Sequence, residues 1–205
     1  MLRMDHIVIA VGYDIEQAMG HFRALGFTVV YGGVHASGAT HNALILVSRS
    51  AFIELLALTG NDAKSGVVDF APMVRQSMVP GHNAFVGYAL RSDDLDADSA
   101  ALRARGDQVS EPMESGRLRP DGVRLAWKNA LVNESYAPFL IQYLSPPDAQ
   151  RLPADPLAIK HRNGVTSLCA VDIAAQRVTL QAANPVVFDA THTFGIQFEI
   201  TDSCM

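Results

Sequence analysis

Two ionisable side chains, His6 and Glu54, sit in apolar strand-like runs where the solvent cannot be assumed to serve them. Side chains alternate across a strand, so His6 shares a face with Val8 and Ala10 while Ile7 and Ile9 take the other. Glu54 shares a face with Phe52, Leu56 and Leu58. A carboxylate buried there without a partner would cost on the order of several kcal/mol, so it requires a cation, a metal ion, a hydrogen-bond donor or an altered pKa. An imidazole and a carboxylate brought together can ligate a divalent ion or move a proton. Each also has a plainer reading: His6 as a hydrogen-bonded structural residue, Glu54 as a carboxylate facing solvent or paired with an arginine. His35, Thr40, His41 and Asn42 form a second polar group, which reads either as a substrate-contacting loop or as a loop satisfying its own backbone. Arg117, Arg119 and Arg124 could anchor a carboxylate, although surface loops carry such residues routinely. Trp127 either lines a pocket or fills the core, and the core is the safer placement.

The elements that must position these residues can be traced along the chain. Ile7 to Val11 reads as a buried strand, followed by Asp14 as helix N-cap, apolar residues at helical spacing (Ile15, Ala18, Met19, Phe22, Leu25) and Gly26 as the stop. Strands are expected at Phe27 to Tyr31, Ala43 to Ser48 and Phe52 to Leu58, with turns at Gly32-Gly33 and Ser48-Arg49-Ser50. The pattern returns with a strand at Phe85 to Leu90, a cap at Asp93-Asp94, a helix through Leu95 and Leu102, and Gly106. Asp14 and Asp94, Arg23 and Arg103, Ala24 and Ala104, Gly26 and Gly106, and Val29 and Val109 are each 80 positions apart, consistent with an internal duplication. Gln108 to Val109, Val123 to Lys128 and Phe139 to Leu144 supply the later strands, in a register that lays Phe52-Ile53-Glu54 over Leu140-Ile141-Gln142.

The reading is therefore an α+β fold of two tandem βαβββ modules forming a cupped mixed sheet with helices outside. Residues 1–59 and 84–145 form the modules, and 60–83 a linker with a short helix through Val67, Phe70, Val74 and Met78, placed to cover a pocket. Residues 146–205 form an extension packed on the same domain. It begins with a Pro-rich connection (Pro146, Pro147, Pro153, Pro156) and continues into strands at Val165 to Ala174, Val178 to Ala182 and Phe194 to Ile200.

Composition narrows the function classes. A chain of 205 residues with 49% apolar and 18% charged residues is that of a globular protein. A formal charge of −5 without a basic run argues against nucleic acid as a partner. No run approaches the roughly 18 to 20 apolar residues that span a bilayer, and the start has no signal-peptide pattern, so a cytoplasmic location is expected. Cys169 and Cys204 have no metal-site or redox spacing and read as incidental. Phosphate-loop, nucleophile-elbow and zinc-protease motifs are absent from the sequence.

The strings Met4-Asp5-His6-Ile7-Val8-Ile9-Ala10, His35 to Leu44, Phe52-Ile53-Glu54-Leu55-Leu56 and His161-Arg162-Asn163-Gly164 resemble the glyoxalase-like branch of the vicinal oxygen chelate (glyoxalase, bleomycin resistance, dioxygenase) superfamily. The resemblance covers roughly residues 4 to 175 and is most specific in the first 58. It implies that the first and last strands of each module run parallel and adjacent, pointing their side chains into a shared cup. His6 and Glu54 then match the ligand positions of the first module, and Val86 and Gln142 those of the second, where a histidine is missing. The implied ligand set is His6, Glu54 and Gln142 around Zn, Ni, Mn or Fe, with His35 or His41 as a further nitrogen and Glu54 also a catalytic base. His35, Thr40, His41, Asn42 and Trp127 would contact the substrate. The implied activity is metal-assisted lyase, isomerase or dioxygenase chemistry on a small molecule with vicinal oxygens. The alternative is a metal-free binding protein for a drug or metabolite. A homodimer is a common superfamily arrangement, and the tail could exchange between subunits.

Overall fold

Helix starts are set by two aspartates. Asp14 accepts a hydrogen bond from the Gln17 amide at 2.9 Å and Asp94 one from the Ala97 amide at 3.0 Å, which fixes the first turns of α1 (Ile15–Ala24) and α3 (Leu95–Ala104). The computed structural model describes residues 1–48, 50–79, 84–144, 156–172, 175–182, 191–193 and 195–204. Pro146, Pro147 and Pro153 of the connection, Pro80 and Gly81 of the linker, Arg49, and Ile173, Ala174 and Phe194 of the tail lie outside the described residues.

The fold is α+β and strand-rich. In chain order come β1 (Arg3–Ala10), α1, β2 (Val30–His35), β3 (Thr40–Ile45), β4 (Phe52–Leu58) and α2 (Ala71–Ser77). Then follow β5 (Phe85–Arg91), α3, β6 (Met113–Leu118), β7 (Arg124–Val132) and β8 (Ser135–Tyr143). These eight strands curl into one closed, barrel-like cup in the order β1-β4-β3-β2-β6-β7-β8-β5. β1 pairs with β4 and β5 with β8 in parallel, while β1 meets β5 and β2 meets β6 antiparallel at the two seams.

Both faces of the central strands are buried, and alternation sorts them. All seven residues of β4 are buried. Ile7, Ile9, Ile53 and Leu55 point outward onto Ala18, Met19 and Phe22 of α1. Val8, Ala10, Leu56 and Leu58 point inward, against Phe70, Met73 and Val74 at α2. Thus the 60–83 segment does carry a short helix, and it packs on the inner face of the cup.

The tail forms a four-stranded sheet of β9 (Val165–Asp172), β10 (Arg177–Ala182), β11 (Thr191–Thr193) and β12 (Ile196–Thr201), ordered β11-β12-β10-β9. Val178, Leu180 and Phe198 join the core beneath α1, with Phe198 edge-on to Phe22 at 5.9 Å. The His161–Gly164 segment straps this tail to the first helix. His161 Nδ1 accepts from the Thr28 amide at 3.0 Å, and Asn163 Nδ2 donates to the Leu25 carbonyl at 3.0 Å.

Several expectations are corrected. Gly32-Gly33 is no turn: β2 runs through both, and Gly32 is the extra residue of a bulge between Tyr31 and Gly33. Gly33 has φ +121°, and a Cβ there would lie 2.0 Å from the Leu118 carbonyl, so the glycine permits the close seam to β6. The His35–Asn42 segment is a tight hairpin, with His35 ending β2 and Thr40 opening β3. Val109 makes only an isolated bridge to Val132, and the second strand of the second half is β6. β7 extends to Val132 and turns at Asn133-Glu134, both at left-handed φ (53° and 54°), as a two-residue hairpin requires. Cys169 and Cys204 are not incidental: they form a disulfide that ties β9 to the residues after β12. Among the described residues no helix is long and apolar enough to cross a membrane.

Candidate active site

A β-bulge sets up the polar floor of the cup. Met4 pairs with Leu90 and His6 with Ala89, leaving Asp5 as the extra residue. The carboxylate of this fully buried Asp5 thereby reaches the ring beside it: Asp5 Oδ2 lies 2.8 Å from His6 Nδ1, and the Tyr143 hydroxyl donates to the same oxygen at 2.8 Å. Phe52, the β4 partner of His6, stacks on the imidazole with ring centroids 4.5 Å apart. Held on both sides, His6 presents Nε2 to Glu54 Oε2 at 3.4 Å.

The other carboxylate oxygen of Glu54 faces β3 and β2. Asn42 Nδ2 donates to Oε1 at 2.6 Å, and Arg117 Nη1 donates to Asn42 Oδ1 at 2.8 Å. His35 Nε2 lies 3.5 Å from Glu54 Oε1 and 3.2 Å from Asn42 Nδ2, while His35 Nδ1 is 2.8 Å from the Thr40 hydroxyl. Burial pushes the His35 imidazole down to about 4, against the opposing pull of Glu54; Arg117, His41 and His6 lower it further. The ring is therefore neutral at neutral pH. Burial also lowers the Arg117 guanidinium, with Glu54 pulling the other way, yet an arginine stays charged.

These groups open into a cavity walled by Val8, Leu44, Leu56, Met73, Leu125 and Ile141 among others. Trp127 lines it, edge-on to His35 at 6.2 Å, and Phe70 and Met73 bring the α2 segment to it. A cleft that is apolar apart from one convergent polar group is the usual form of a small-molecule site.

The sequence matches the glyoxalase-like domain family over residues 4–185. The chain belongs to this family, within the vicinal oxygen chelate superfamily. A hypothetical protein from Staphylococcus aureus of known structure is similar over 98% of this chain and 99% of its own, at 16% identity and a TM-score of 0.73. Methylmalonyl-CoA epimerase from Mycobacterium tuberculosis aligns with 71% of this chain and 90% of its own, at 20% identity and a TM-score of 0.48. A Streptomyces coelicolor methylmalonyl-CoA epimerase variant in complex with 2-nitronate-propionyl-CoA aligns with 70% and 98%, at 21% identity and 0.47. No curated protein matches the sequence.

In this glyoxalase-like domain His6, His35, Asn42, Glu54 and Trp127 line one cavity. Thr40 does not line it; its hydroxyl holds His35 from behind. His41 falls on the opposite face of β3 from Asn42, with Nδ1 3.2 Å from the Tyr31 hydroxyl. Gln142 also points away. In β8 the inward residues are Phe139, Ile141 and Tyr143, while the Gln142 amide accepts from Leu95 N at 3.3 Å and donates to the Asp93 carbonyl at 3.1 Å, capping α3 from outside. The expected register was one residue out. The donor set for a metal is accordingly incomplete: among the described residues no three His, Cys, Asp or Glu side chains are disposed around a common ion position. Glu54 Oε1 is already engaged by Asn42, behind which stands a guanidinium. These residues do not fit the ion that the resemblance implied.

Sequence reasoning passed over Asp5, Phe52, Phe70, Asn129 and Tyr143 and left Arg117 as a surface candidate. Asn129 is fully buried on the cavity wall and its Oδ1 has no hydrogen-bond partner among the described residues. Asp5 and Phe52 carried a signal in their adjacency to His6 and Glu54; Tyr143 was visible as a polar residue alternating with Phe139 and Ile141.

Proposed function

We propose that this glyoxalase-like domain is an enzyme that moves a proton on a small carbonyl compound, an isomerase- or lyase-type reaction, with Glu54 as the base. The observation that carries the reading is the Asp5–His6–Glu54 alignment opening into a largely apolar cup. Asp5 fixes the His6 ring so that Nε2 faces Glu54, and the pair can hold one proton and pass it between them or to a ligand. The Asn42 amide and the neutral His35 hold the same carboxylate from its other side, which keeps the base in position as a proton leaves carbon. Because the donors do not fit a divalent ion, no step is assigned to one. We also infer that the two strand–helix–three-strand stretches are tandem modules, a reading supported by the 80-residue offset of their caps.

The test is solvent deuterium incorporation, followed by NMR, into a panel of small oxo acids, hydroxy ketones and thioesters. The wild type should exchange the carbon-bound proton of at least one compound. Glu54→Gln should lose about 100- to 10,000-fold of that rate while still binding the compound. A compound that binds in the cup yet never exchanges would favour the second reading, a binding protein, for which the mainly apolar walls speak.

A further inference from the structure

Arg117 is a buried cation whose charge is matched by no direct ion pair among the described residues. It is 8% exposed, and among the described residues its hydrogen bond is the one from Nη1 to Asn42 Oδ1, with no carboxylate within ion-pair distance. The influence of Glu54 reaches it across the Asn42 amide. The rest of the guanidinium borders the cavity. Burying an isolated charge is costly, and the cost is relieved when an opposite charge arrives with matching hydrogen-bond geometry.

The fold holds the guanidinium in place. Arg117 pairs with His35 across the β2–β6 seam, so its backbone is fixed where the cup closes. Gly32 clears the space it fills: a Cβ there would stand 2.0 Å from Arg117 Nη1 and 2.1 Å from Asn42 Oδ1. A planar, pre-placed arginine fork suits a carboxylate better than a point charge would. Asp5 and Glu54 already bring two carboxyl groups to the same floor against this one cation, which disfavours a phosphate carrying two charges. The walls beyond, Phe52, Leu125, Trp127 and Phe139, ask for an apolar body.

We propose that Arg117 is the anchor for the carboxylate of the ligand, and that the cup takes small monocarboxylic acids with an apolar, aromatic-sized body. The proposal rests on the same cup as the proton-transfer reading and names its substrate class. The Asn42 amide, bonded at one end to Arg117 and at the other to Glu54, then sets the carboxylate and the base as neighbours.

Trp127 is the single tryptophan of the chain and lines the cavity, so its fluorescence reports occupancy. The probes are 3-phenylpropanoate, its neutral isostere 3-phenylpropanamide, and inorganic phosphate. The wild type should bind the acid at least about tenfold more tightly than the amide, and phosphate more weakly than the acid. Arg117→Lys should keep part of this preference and Arg117→Met should abolish it while amide binding persists, which shows the cup intact. Glu54→Gln should retain or enlarge the preference, because it leaves Arg117 in place and removes a negative charge from the floor. Equal affinity for acid and amide in the wild type, no acid binding at millimolar concentration, or a preference surviving in folded Arg117→Met would each overturn the proposal. Acid preference without deuterium exchange in any compound would leave the anchor standing and remove the base; exchange on neutral ketones without acid preference would do the reverse.

Discussion

The two halves of the cup are built alike and loaded differently. The half made by β1, β4, β3 and β2 contributes His6, Glu54, Asn42 and His35 to the cavity, whereas the half made by β6, β7, β8 and β5 contributes Arg117, Trp127 and Asn129 from β6 and β7 and Phe139, Ile141 and Tyr143 from β8, and closes on Ala89 with Val86 beside it. Both halves contain a parallel pair of first and last strands. In one, the inward positions carry a histidine and a carboxylate; in the other, the corresponding wall is mainly apolar and its polar tip, Tyr143, reaches across to Asp5. Two halves with the same order of elements therefore need not carry the same chemistry. The histidines and the carboxylates of the floor come from one half, Arg117 reaches them from the other, and the apolar wall around them shields the group and gives it its shifted acid–base properties.

That shielding can be broken from the floor side by pH. In the unfolded chain His35 titrates near its ordinary 6.5, whereas in the fold it is held down to about 4. The native state thus binds fewer protons than the unfolded one between those values, so stability falls as pH drops from 6.5 and the loss is complete near 4. The full effect is on the order of 3 kcal/mol. His41 and His161 are lowered as well, so the measurement is a difference: urea midpoints from pH 7.5 to 4 for wild type and His35→Gln. The wild type should lose more stability than the variant across this window. Parallel curves would mean that the floor is wetter than the packing around His35 requires.

A smaller effect tests how tightly the floor is fitted. Gly32→Ala drives a methyl group into Arg117 Nη1 and Asn42 Oδ1 at about two-thirds of a normal contact distance. Both are ends of side chains and can yield, so the cost should be about 1–2 kcal/mol in the urea midpoint, with the acid-over-amide preference reduced at the same time. The same substitution made in Arg117→Ala should cost less, since one of the two clashes is gone. An unchanged midpoint and preference would show that the floor has slack.

What could be seen in the sequence follows the same divide. His6 and Glu54 stood out because alternation is reliable inside long apolar strands, and an ionisable residue in such a row contrasts with its neighbours. Arg117 had no such contrast. Its surroundings, Gly116-Arg117-Leu118-Arg119-Pro120-Asp121-Gly122, have the composition of a surface loop, and only pairing with β2 and β7 turns their first half into a buried strand. The helices were legible from their caps, whereas β2 was misplaced because two glycines that make a bulge look locally identical to two that make a turn. The Cys169–Cys204 link joins residues 35 apart, and no spacing rule anticipates a contact created by two tail strands folding back. Bulges also explain the slip at Gln142. β1 and β5 meet with two register shifts, so counting from one half to the other does not conserve which face a residue takes.

Gln142 supplies the smallest and sharpest contrast with Glu54, because the resemblance paired them and the strand faces separate them. Its amide serves the Leu95 amide and the Asp93 carbonyl at the start of α3, where an orphan helix donor would otherwise go without a protein partner. Gln142→Ala should therefore cost about 1 kcal/mol of stability and leave Trp127-reported ligand binding and deuterium exchange unchanged. Glu54→Gln, which keeps the size of the side chain, should do the opposite, leaving the fold nearly intact while exchange collapses. If Gln142→Ala instead weakened binding or exchange by about tenfold at unaltered stability, residue 142 would have to reach the cup in solution. The last strands of both halves would then act on the ligand, as the resemblance implied.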